Sequence, residues 1–190
     1  MRFLVMKSSL RAFSLLELLV VIAIIAILTS LAIPAFNSIG KSQSLGAAIR
    51  NLEEAMQNAR KKAVTSNRIV EFRIRKTVDG TSYNAYDTVA FNEFGTQPKP
   101  VSRVSTLPTG FVFGKNKSSI LQELPERTST DVPVVYHSFR FMPDGSTDLS
   151  ETKKWNLTIL HESALTKPDS PNVASASISP TTGDVTTYRP

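Results

Sequence analysis

The sequence predicts an α+β fold in which one long N-terminal α-helix packs on a C-terminal antiparallel β-sheet domain. Residues 15–33 are apolar except for Glu17, Thr29 and Ser30, and apolar residues then recur at three- and four-residue spacing as far as residue 63. Both patterns are typical of helices. From residue 68 onward, short runs of alternating or β-branched residues are separated by glycine, proline, asparagine and aspartate, which is the pattern of strands and turns.

Composition limits the size and the chemistry of this fold. The chain has 190 residues, a formal net charge of +6 and no cysteine. The lack of cysteine excludes disulfides, thiolate zinc sites and cysteine nucleophiles. About 125 residues follow the long helix, enough for one domain with one core. The first 12 residues hold three basic residues and no acid, so the remainder carries 6 − 3 = +3, and charge alone is weak evidence for nucleic-acid binding.

The apolar segment is long enough to cross a membrane. At about 1.5 Å per residue, residues 15–33 span roughly 29 Å, close to the hydrocarbon thickness of a bilayer. The basic residues before the segment place the N-terminus in the cytoplasm. Two simpler interpretations stay open: a secretory signal peptide with a cleavage site near residues 30–32, and a plain signal anchor. Neither explains Glu17, because a carboxylate in a membrane helix costs free energy and is usually paired.

Beyond the apolar segment the helical pattern becomes amphipathic. We predict one helix over Phe13–Thr65, with a kink at Pro34, because proline removes a backbone donor from the helix, and a second weak point at Gly40. The second half of this helix presents one apolar stripe to the domain. The stripe consists of Leu45, Ala48, Ile49, Leu52, Met56, Ala59 and Ala63.

The remainder of the chain is predicted to form strands. The predicted strands are Arg68–Arg75, Tyr83–Phe91, Phe111–Phe113, Val134–Met142, Trp155–His161, Val173–Ser179 and Val185–Tyr188. In the first of them, Val70, Phe72 and Ile74 form the core face. Residues 117–124 are predicted to form a short helix, and residues 92–100 and 126–131 a turn-rich segment and a polar loop. A turn at residues 143–146 is expected to lead into a returning strand, and a hairpin joins the last two strands.

The N-terminal sequence resembles a known processing motif. Residues 11–28 read RAFSLLELLVVIAIIAIL, which is similar to the prepilin cleavage and methylation motif of type IV pilins and type II secretion pseudopilins. The resemblance implies that a prepilin peptidase cuts between Ala12 and Phe13, that Phe13 is then N-methylated, and that Glu17 becomes the fifth residue of the mature chain. The family usually has glycine before the cut, where this chain has Ala12.

The same resemblance implies an assembly role for Glu17. Staggered helices in a filament bring this glutamate of one subunit to the α-amino group of Phe13 on a neighbour. Two unit charges about 4 Å apart gain roughly 4 kcal/mol at an effective dielectric constant near 20. An unpaired carboxylate at this position therefore favours the recruitment of a neighbouring subunit.

Segments near the C-terminus extend the resemblance. The segments SFRFMPDGS (residues 138–146), WNLTI (155–159) and SISPTTGDV (177–185) are similar to the strand-turn and the closing hairpin of GspH/FimT minor pseudopilin domains. Residues 143–149 and the ending TYRP (187–190) are more narrowly similar to the pilin-like family called Verru_Chthon cassette protein D.

No catalytic or metal site is predicted, and no cofactor is expected. His137 and His161 stand in separate predicted strands, and the chain contains no serine-hydrolase, zinc-protease or phosphate-loop motif. Asp144 and Asp148 bracket a turn, but calcium takes about six to eight oxygen ligands. A hairpin turn explains these two aspartates better than a calcium site.

Basic residues suggest one alternative partner. Arg60, Lys61 and Lys62 lie near the end of the predicted helix, and Arg73 and Arg75 share a strand face. Some FimT-like proteins bind DNA during uptake, and such binding requires clustered phosphate contacts. A solvated basic face is the simpler interpretation, so DNA is not an expected partner.

These expectations combine into one organisation and one function. Residues 1–12 form a prepilin leader peptide, 13–36 a transmembrane and filament-core helix, 37–66 its amphipathic continuation, and 67–190 a β-rich domain. We expect a minor pilin or pseudopilin, a structural subunit of a type IV pilus-like or type II secretion-like filament and not an enzyme. Its expected partners are prepilin peptidase, other pilin or pseudopilin subunits and the inner membrane, with the N-terminus in the cytoplasm and the domain outside it. The alternative is a membrane-anchored extracytoplasmic domain that binds a ligand or DNA and does not polymerise.

Overall fold

The structure, a computed structural model, describes residues 14–77, 79–92, 96, 98–128, 134–165 and 173–189, without the side chains of residues 30–42. Contacts divide the chain into two compact units, Met1–Lys41 and Ser42–Pro190. The second unit contains the amphipathic half of a long helix and an antiparallel sheet. The predicted α+β fold is confirmed.

The long helix, α1, extends from Leu15 to Ser66. Asn67 follows it with a φ of 50°, in the left-handed region. The N–H groups of Asn67 and Arg68 donate to the carbonyl oxygens of Val64 and Ala63 at 3.3 and 3.1 Å. This is a Schellman motif, in which a left-handed residue satisfies the last carbonyls of a helix. The predicted end of the helix is confirmed to within one residue.

Ten strands form one antiparallel sheet in the described part of the chain. They are β1 (Val70–Lys76), β2 (Tyr83–Ala90), β3 (Lys99–Pro100), β4 (Ser105–Thr106), β5 (Phe111–Phe113), β6 (Arg127–Thr128), β7 (Val135–Phe141), β8 (Trp155–His161), β9 (Val173–Ile178) and β10 (Val185–Tyr188). Their order is β10-β9-β8-β5-β2-β1-β7-β6, and β3 and β4 pair with β2. A short helix, α2 (Ser119–Glu123), follows β5 where a helix was predicted.

The predicted core is confirmed. Every residue of the predicted apolar stripe on α1 is buried, and Leu52 and Met56 at its centre have no exposed surface. On β1, the predicted core residues Val70, Phe72 and Ile74 are likewise fully buried. All of them belong to one hydrophobic cluster. Each large apolar side chain buried in this way contributes about 1.5–3 kcal/mol to stability, so the helix–sheet contact holds this unit together.

The sequence analysis predicted that the strand after the turn at residues 143–146 returns beside the strand that precedes the turn. This prediction is wrong. β7 lies between β1 and β6, whereas β8 pairs with β5 and β9 in the other half of the sheet. A bridge between Phe141 and Thr147 closes the turn, and the chain crosses to the far half before β8 begins at Trp155. The two strands do not pair because β1 and β6 occupy the two edges of β7. The connection is also much longer than the loops of about two to five residues that join hairpin strands.

Three two-residue strands were not predicted. β3 lies inside the segment predicted to be turn-rich, β6 lies inside the predicted polar loop, and β4 lies where no element was predicted. Two residues are too few to show the alternation that identifies a strand in a sequence. These strands exist because their neighbours β2 and β7 offer unpaired edges.

The region of α2 closes a gap in the sheet. β5 meets β2 at a single residue pair, so the first half of β8 needs other partners on that side. Ser118 Oγ accepts the N–H of Thr158 at 2.9 Å, and Ser119 Oγ accepts the N–H of Asn156 at 2.7 Å. Side chains thus supply hydrogen bonds that a neighbouring strand would otherwise provide.

Two turns that carry the C-terminal sequence motifs meet beside α1. Gly145 and Gly183 have φ angles of 88° and 66°, which favour glycine. Arg60 donates from Nε to the carbonyl oxygen of Gly145 at 3.2 Å and from Nη1 to Asp184 Oδ1 at 2.8 Å. The Asp-Gly-Ser and Thr-Gly-Asp segments are therefore structural: they pack on each other and fasten the end of α1.

Candidate assembly segment and domain surface

The N-terminal half of α1 exposes large apolar side chains on all sides. Their exposed fractions extend from 41% at Val21 to 87% at Leu15. The other exposed members are Leu16, Leu18, Leu19, Val20, Ile22, Ile24, Ile25, Ile27 and Leu28. A helix that is apolar all round is normally covered by other helices or by lipid. Residues 15–28 are therefore the strongest candidate for an assembly surface.

Among the helical residues whose side chains are described, no segment is both long and apolar enough to cross a membrane. The transmembrane helix predicted at residues 13–36 stays a prediction.

The first turn of α1 contains Glu17. Ser14 immediately precedes the helix, and its Oγ accepts the N–H of Leu16 at 3.3 Å. In return, Glu17 Oε2 accepts the N–H of Ser14 at 3.5 Å. This pair is a variant of the capping box, because the serine accepts the second helical N–H and not the third, and the helix dipole favours a negative charge at this end. Ser14 was not predicted as a site residue, although its spacing from Glu17 before an apolar run is the sequence signature of the box.

The other predicted site residues cannot be placed in the same detail. Ala12 and Phe13 lie outside the described residues, which begin at residue 14, so cleavage and N-methylation stay predictions. Pro34 lies within α1, and its side chain is not described, so the kink also stays a prediction. Glu17 is thus the predicted site residue with described contacts, and it is exposed.

The arginines of the predicted basic strand face are paired with acids. Arg73 Nε lies 2.6 Å from Glu71 Oε1, and Arg140 Nε lies 3.3 Å from Glu71 Oε2. Arg75 Nε lies 3.7 Å from Asp87 Oδ1. Binding of a nucleic acid requires cations that are available to phosphates. The pairing of these arginines with carboxylates therefore weakens the DNA alternative.

Two carboxylates in this network are buried. Glu71 is 1% exposed and Asp87 is 9% exposed. Burial raises the pKa of Asp87, and the charges of Arg75 and Arg73 oppose that shift. Buried ion pairs gain little net stability, but removing one partner is costly. Because its members come from β1, β2 and β7, the network links the central strands of the sheet.

His137 is buried within a hydrogen-bonded cluster. Its Nδ1 lies 2.8 Å from the carbonyl oxygen of Leu124, and its Nε2 lies 3.0 Å from the hydroxyl of Tyr83. The same hydroxyl donates to Glu126 Oε1 at 2.7 Å. Burial lowers the pKa of His137, and the hydrogen bond from Tyr83 lowers the pKa of Glu126. The cluster gives both ring nitrogens of the buried histidine a hydrogen-bonding partner, and it joins β2 and β7 to the loop after α2.

The remaining polar residues weighed as ligands have local partners. Asp144 Oδ1 accepts hydrogen bonds from the N–H and the hydroxyl of the serine two residues later, at 2.9 and 2.6 Å. Asp148 Oδ1 accepts the N–H of Arg140 at 2.7 Å, and His161 Nδ1 lies 2.9 Å from Ser163 Oγ. Within the described residues, no group of three or more histidine or acidic side chains could hold a metal ion.

Comparison with known proteins supports the N-terminal motif. The family model of the prokaryotic N-terminal methylation motif matches residues 8–33, which confirms the predicted prepilin-type motif. The comparison with curated proteins gave no match. Among solved structures, the minor pseudopilin EpsH from the type 2 secretion system of Vibrio cholerae is similar at a TM-score of 0.48 and 12% identity, over 77% of this chain and 96% of that chain. No residue role is transferable at this level of similarity.

Proposed function

We propose that this chain is a minor pilin or pseudopilin, a structural subunit of a type IV pilus-like or type II secretion-like filament. The observation that carries the proposal is the methylation motif at residues 8–33, which leads into a helix with exposed apolar side chains and a single acid, Glu17, in its first turn. Such a motif implies a processed N-terminus. A helix that is apolar all round needs a covering of lipid or of other helices.

Processing and assembly follow one another in this proposal. The chain inserts into the inner membrane with its N-terminus in the cytoplasm and its domain outside, and prepilin peptidase cuts between Ala12 and Phe13. Phe13 is then N-methylated, and α1 moves from lipid into a bundle of helices from other subunits. Because lipid is as apolar as the helices, this transfer gains little hydrophobic free energy. A specific contact, the charge pair between Glu17 and the Phe13 amine of a neighbour, must then favour assembly.

The domain has a structural part in this proposal. Its core fixes the second half of α1 on the sheet, and Arg60 fastens the end of that helix to two turns. Glu71, Asp87 and His137 are buried and engaged in contacts between strands. These contacts support a role in which the domain presents a surface and performs no chemistry.

The substitution Glu17→Leu tests the proposal in the full-length chain, expressed in its own host. The readout is the fraction of the chain that sediments in large complexes after extraction with a mild detergent. Glu17→Leu should lower that fraction strongly, whereas Glu151→Leu, the same change at an exposed position of the domain outside the apolar segment, should preserve it. If the Glu17→Leu chain assembled as well as the unmodified chain, assembly by charge pairing would be wrong. If neither chain entered large complexes, the membrane-anchored domain that does not polymerise would be the better account.

A further inference from the structure

The outer face of the second half of α1 carries two opposite charges that its own domain does not use. Arg50 and Glu54 are exposed, and neither makes a hydrogen bond or an ion pair with another described residue. Four residues of an α-helix turn it through one full turn and about 40° more, so the two side chains lie on one face. Leu52 and Met56 lie on the opposite, buried face. The charged face is therefore available to a partner.

The local geometry keeps these two charges apart within one chain. Arg50 Nη1 lies 3.6 Å from the point that a Cβ atom of Gly46 would occupy, and Arg189 Nη1 lies 3.8 Å from the same point. Helical side chains tilt toward the N-terminal end of their helix, so Arg50 extends one turn back, away from Glu54. A cation four residues before an acid is also the less favourable order for a pair within a helix. Two guanidinium groups thus converge beside a residue that has no side chain.

This cationic recess suits a single carboxylate. Guanidinium groups bind carboxylates through charge-assisted hydrogen bonds. A nucleic acid would bring a row of phosphates, and acids stand close to the recess. Glu53 accepts the hydroxyl of Thr187, two residues before Arg189, at 3.0 Å. A row of phosphates would meet the repulsion of this acid, whereas one carboxylate side chain can reach the arginines alone.

The proposed filament contact indicates which carboxylate enters the recess. In that contact Glu17 of one subunit meets the amine of Phe13 on a neighbour, and the acid follows the cation by four residues. Glu54 follows Arg50 by the same four residues, about 6 Å along a helix. Two copies of the chain have identical helices, so a shift that brings one acid toward the neighbour's cation also brings the other, wherever the helices run side by side.

Lys61 provides a contrast on the same helix. It is a further exposed cation, but it follows Glu54 in the chain. Its pairing with the Glu54 of a second copy would require a shift in the opposite direction. The direction of the shift therefore distinguishes Arg50 from Lys61 as the partner.

We propose that Glu54 of one subunit pairs with Arg50, beside Arg189, on a second copy of the chain in the assembled state. This inference rests on the proposed function. The contact is a second charge pair along α1, far in the chain from the pair between Glu17 and Phe13. An exposed ion pair changes an equilibrium by up to about five-fold per contact. Reversing one charge turns this attraction into repulsion, so the effect of a reversal is larger.

Charge reversal in the full-length chain tests the pairing. Arg50→Glu and Glu54→Arg should each lower the ratio of assembled to free chain by about five-fold or more, measured by sedimentation after mild detergent extraction. The double variant carrying both changes should restore most of the assembly, because one chain supplies both halves of the contact while Arg189 keeps its charge. Urea midpoints of the free chains should be unchanged, because both side chains are exposed.

Crosslinking tests the direction of the shift. The chain has no cysteine, so single cysteines can be placed in a clean background. Differently tagged Arg50→Cys and Glu54→Cys chains, expressed together and treated with a short bis-maleimide, should give a mixed dimer. The matched pair of Lys61→Cys and Glu54→Cys should give much less. An equal yield from the Lys61 pair, or no mixed dimer from the Arg50 pair, would overturn the proposed contact.

The outcomes also separate this inference from the proposed function. Normal assembly of Arg50→Glu and Glu54→Arg, together with failure of Glu17→Leu, would overturn the pairing and leave the filament proposal standing. Normal assembly of all three variants would contradict the filament proposal itself. A double variant that stays unassembled, or a lowered urea midpoint in either single variant, would also overturn the pairing, because the charges would then act within the domain.

Discussion

The contact between Gly183 and Gly145 leads to a quantitative stability prediction. A Cβ atom at position 183 would lie 2.2 Å from the carbonyl oxygen of Gly145, so Gly183→Ala forces one turn away from the other. The φ of 66° at Gly183 costs an alanine about 1–2 kcal/mol. The movement also breaks the hydrogen bond from Arg60 to Gly145, a charged bond with a contribution of about 1.5–3 kcal/mol. We expect Gly183→Ala to lower the free energy of unfolding by about 2.5–5 kcal/mol.

Gly80→Ala is the matched control. Gly80 has a similar φ of 73°, but no described atom lies within 4 Å of its added Cβ. This variant should lose only the backbone contribution, about 1–2 kcal/mol. Urea denaturation of the full-length protein in detergent, followed by circular dichroism, measures both variants. Equal losses in the two variants would refute the role assigned to the contact between the turns.

Three further substitutions test the core and the buried polar groups. Glu71→Gln should lower the free energy of unfolding by about 2–3 kcal/mol because two partly exposed arginines lose a buried partner. Glu123→Gln, at an exposed ion pair, should lower it by less than about 1 kcal/mol. Similar urea midpoints for the two variants would contradict this prediction. Leu52→Ala should cost about 2–5 kcal/mol, and a loss well below that range would mean that the stripe on α1 is not core. Burial lowers the pKa of folded His137, so the unfolded chain binds the proton more tightly and stability falls as the pH drops below about 6.5. His137→Gln should reduce the difference between urea midpoints at about pH 7.5 and pH 5.5, whereas an equal reduction by His161→Gln, at a half-buried histidine, would contradict the assignment.

The sequence was sufficient for the helix and for the core because both depend on periodicity. The stripe that includes Leu52 and Met56 follows the helical repeat, and Val70 and Phe72 follow the two-residue repeat of a strand. Burial then selects one face of each element, and local spacing is enough to identify that face.

The order of the strands could not be predicted from the sequence because it depends on contacts between segments that are distant in the chain. The alternation in β7 and β8 identifies two strands but does not say that each pairs with other neighbours. The same limit applies to Arg73 and Arg75. Their alternation with apolar residues indicates a second face of the strand, but the buried acids that pair with them are supplied by the folded sheet.

Part of the candidate assembly site could be predicted from the sequence. Glu17 stands out because an acid interrupts an apolar run. Its contact with Ser14 is local and follows the spacing of a capping box, so that contact could also have been predicted from the sequence. The pairing of Glu17 with a neighbouring Phe13 involves a second subunit, and only an experiment on the assembled state can establish it.

The mature N-terminus tests the central claim most directly. The measurement is mass spectrometry of the protein purified from the membranes of its own host. The account predicts that residues 1–12 are absent and that the chain begins with N-methylated Phe13. An uncut chain, or a chain that begins at Ile33 after removal of the whole apolar segment, would contradict the account.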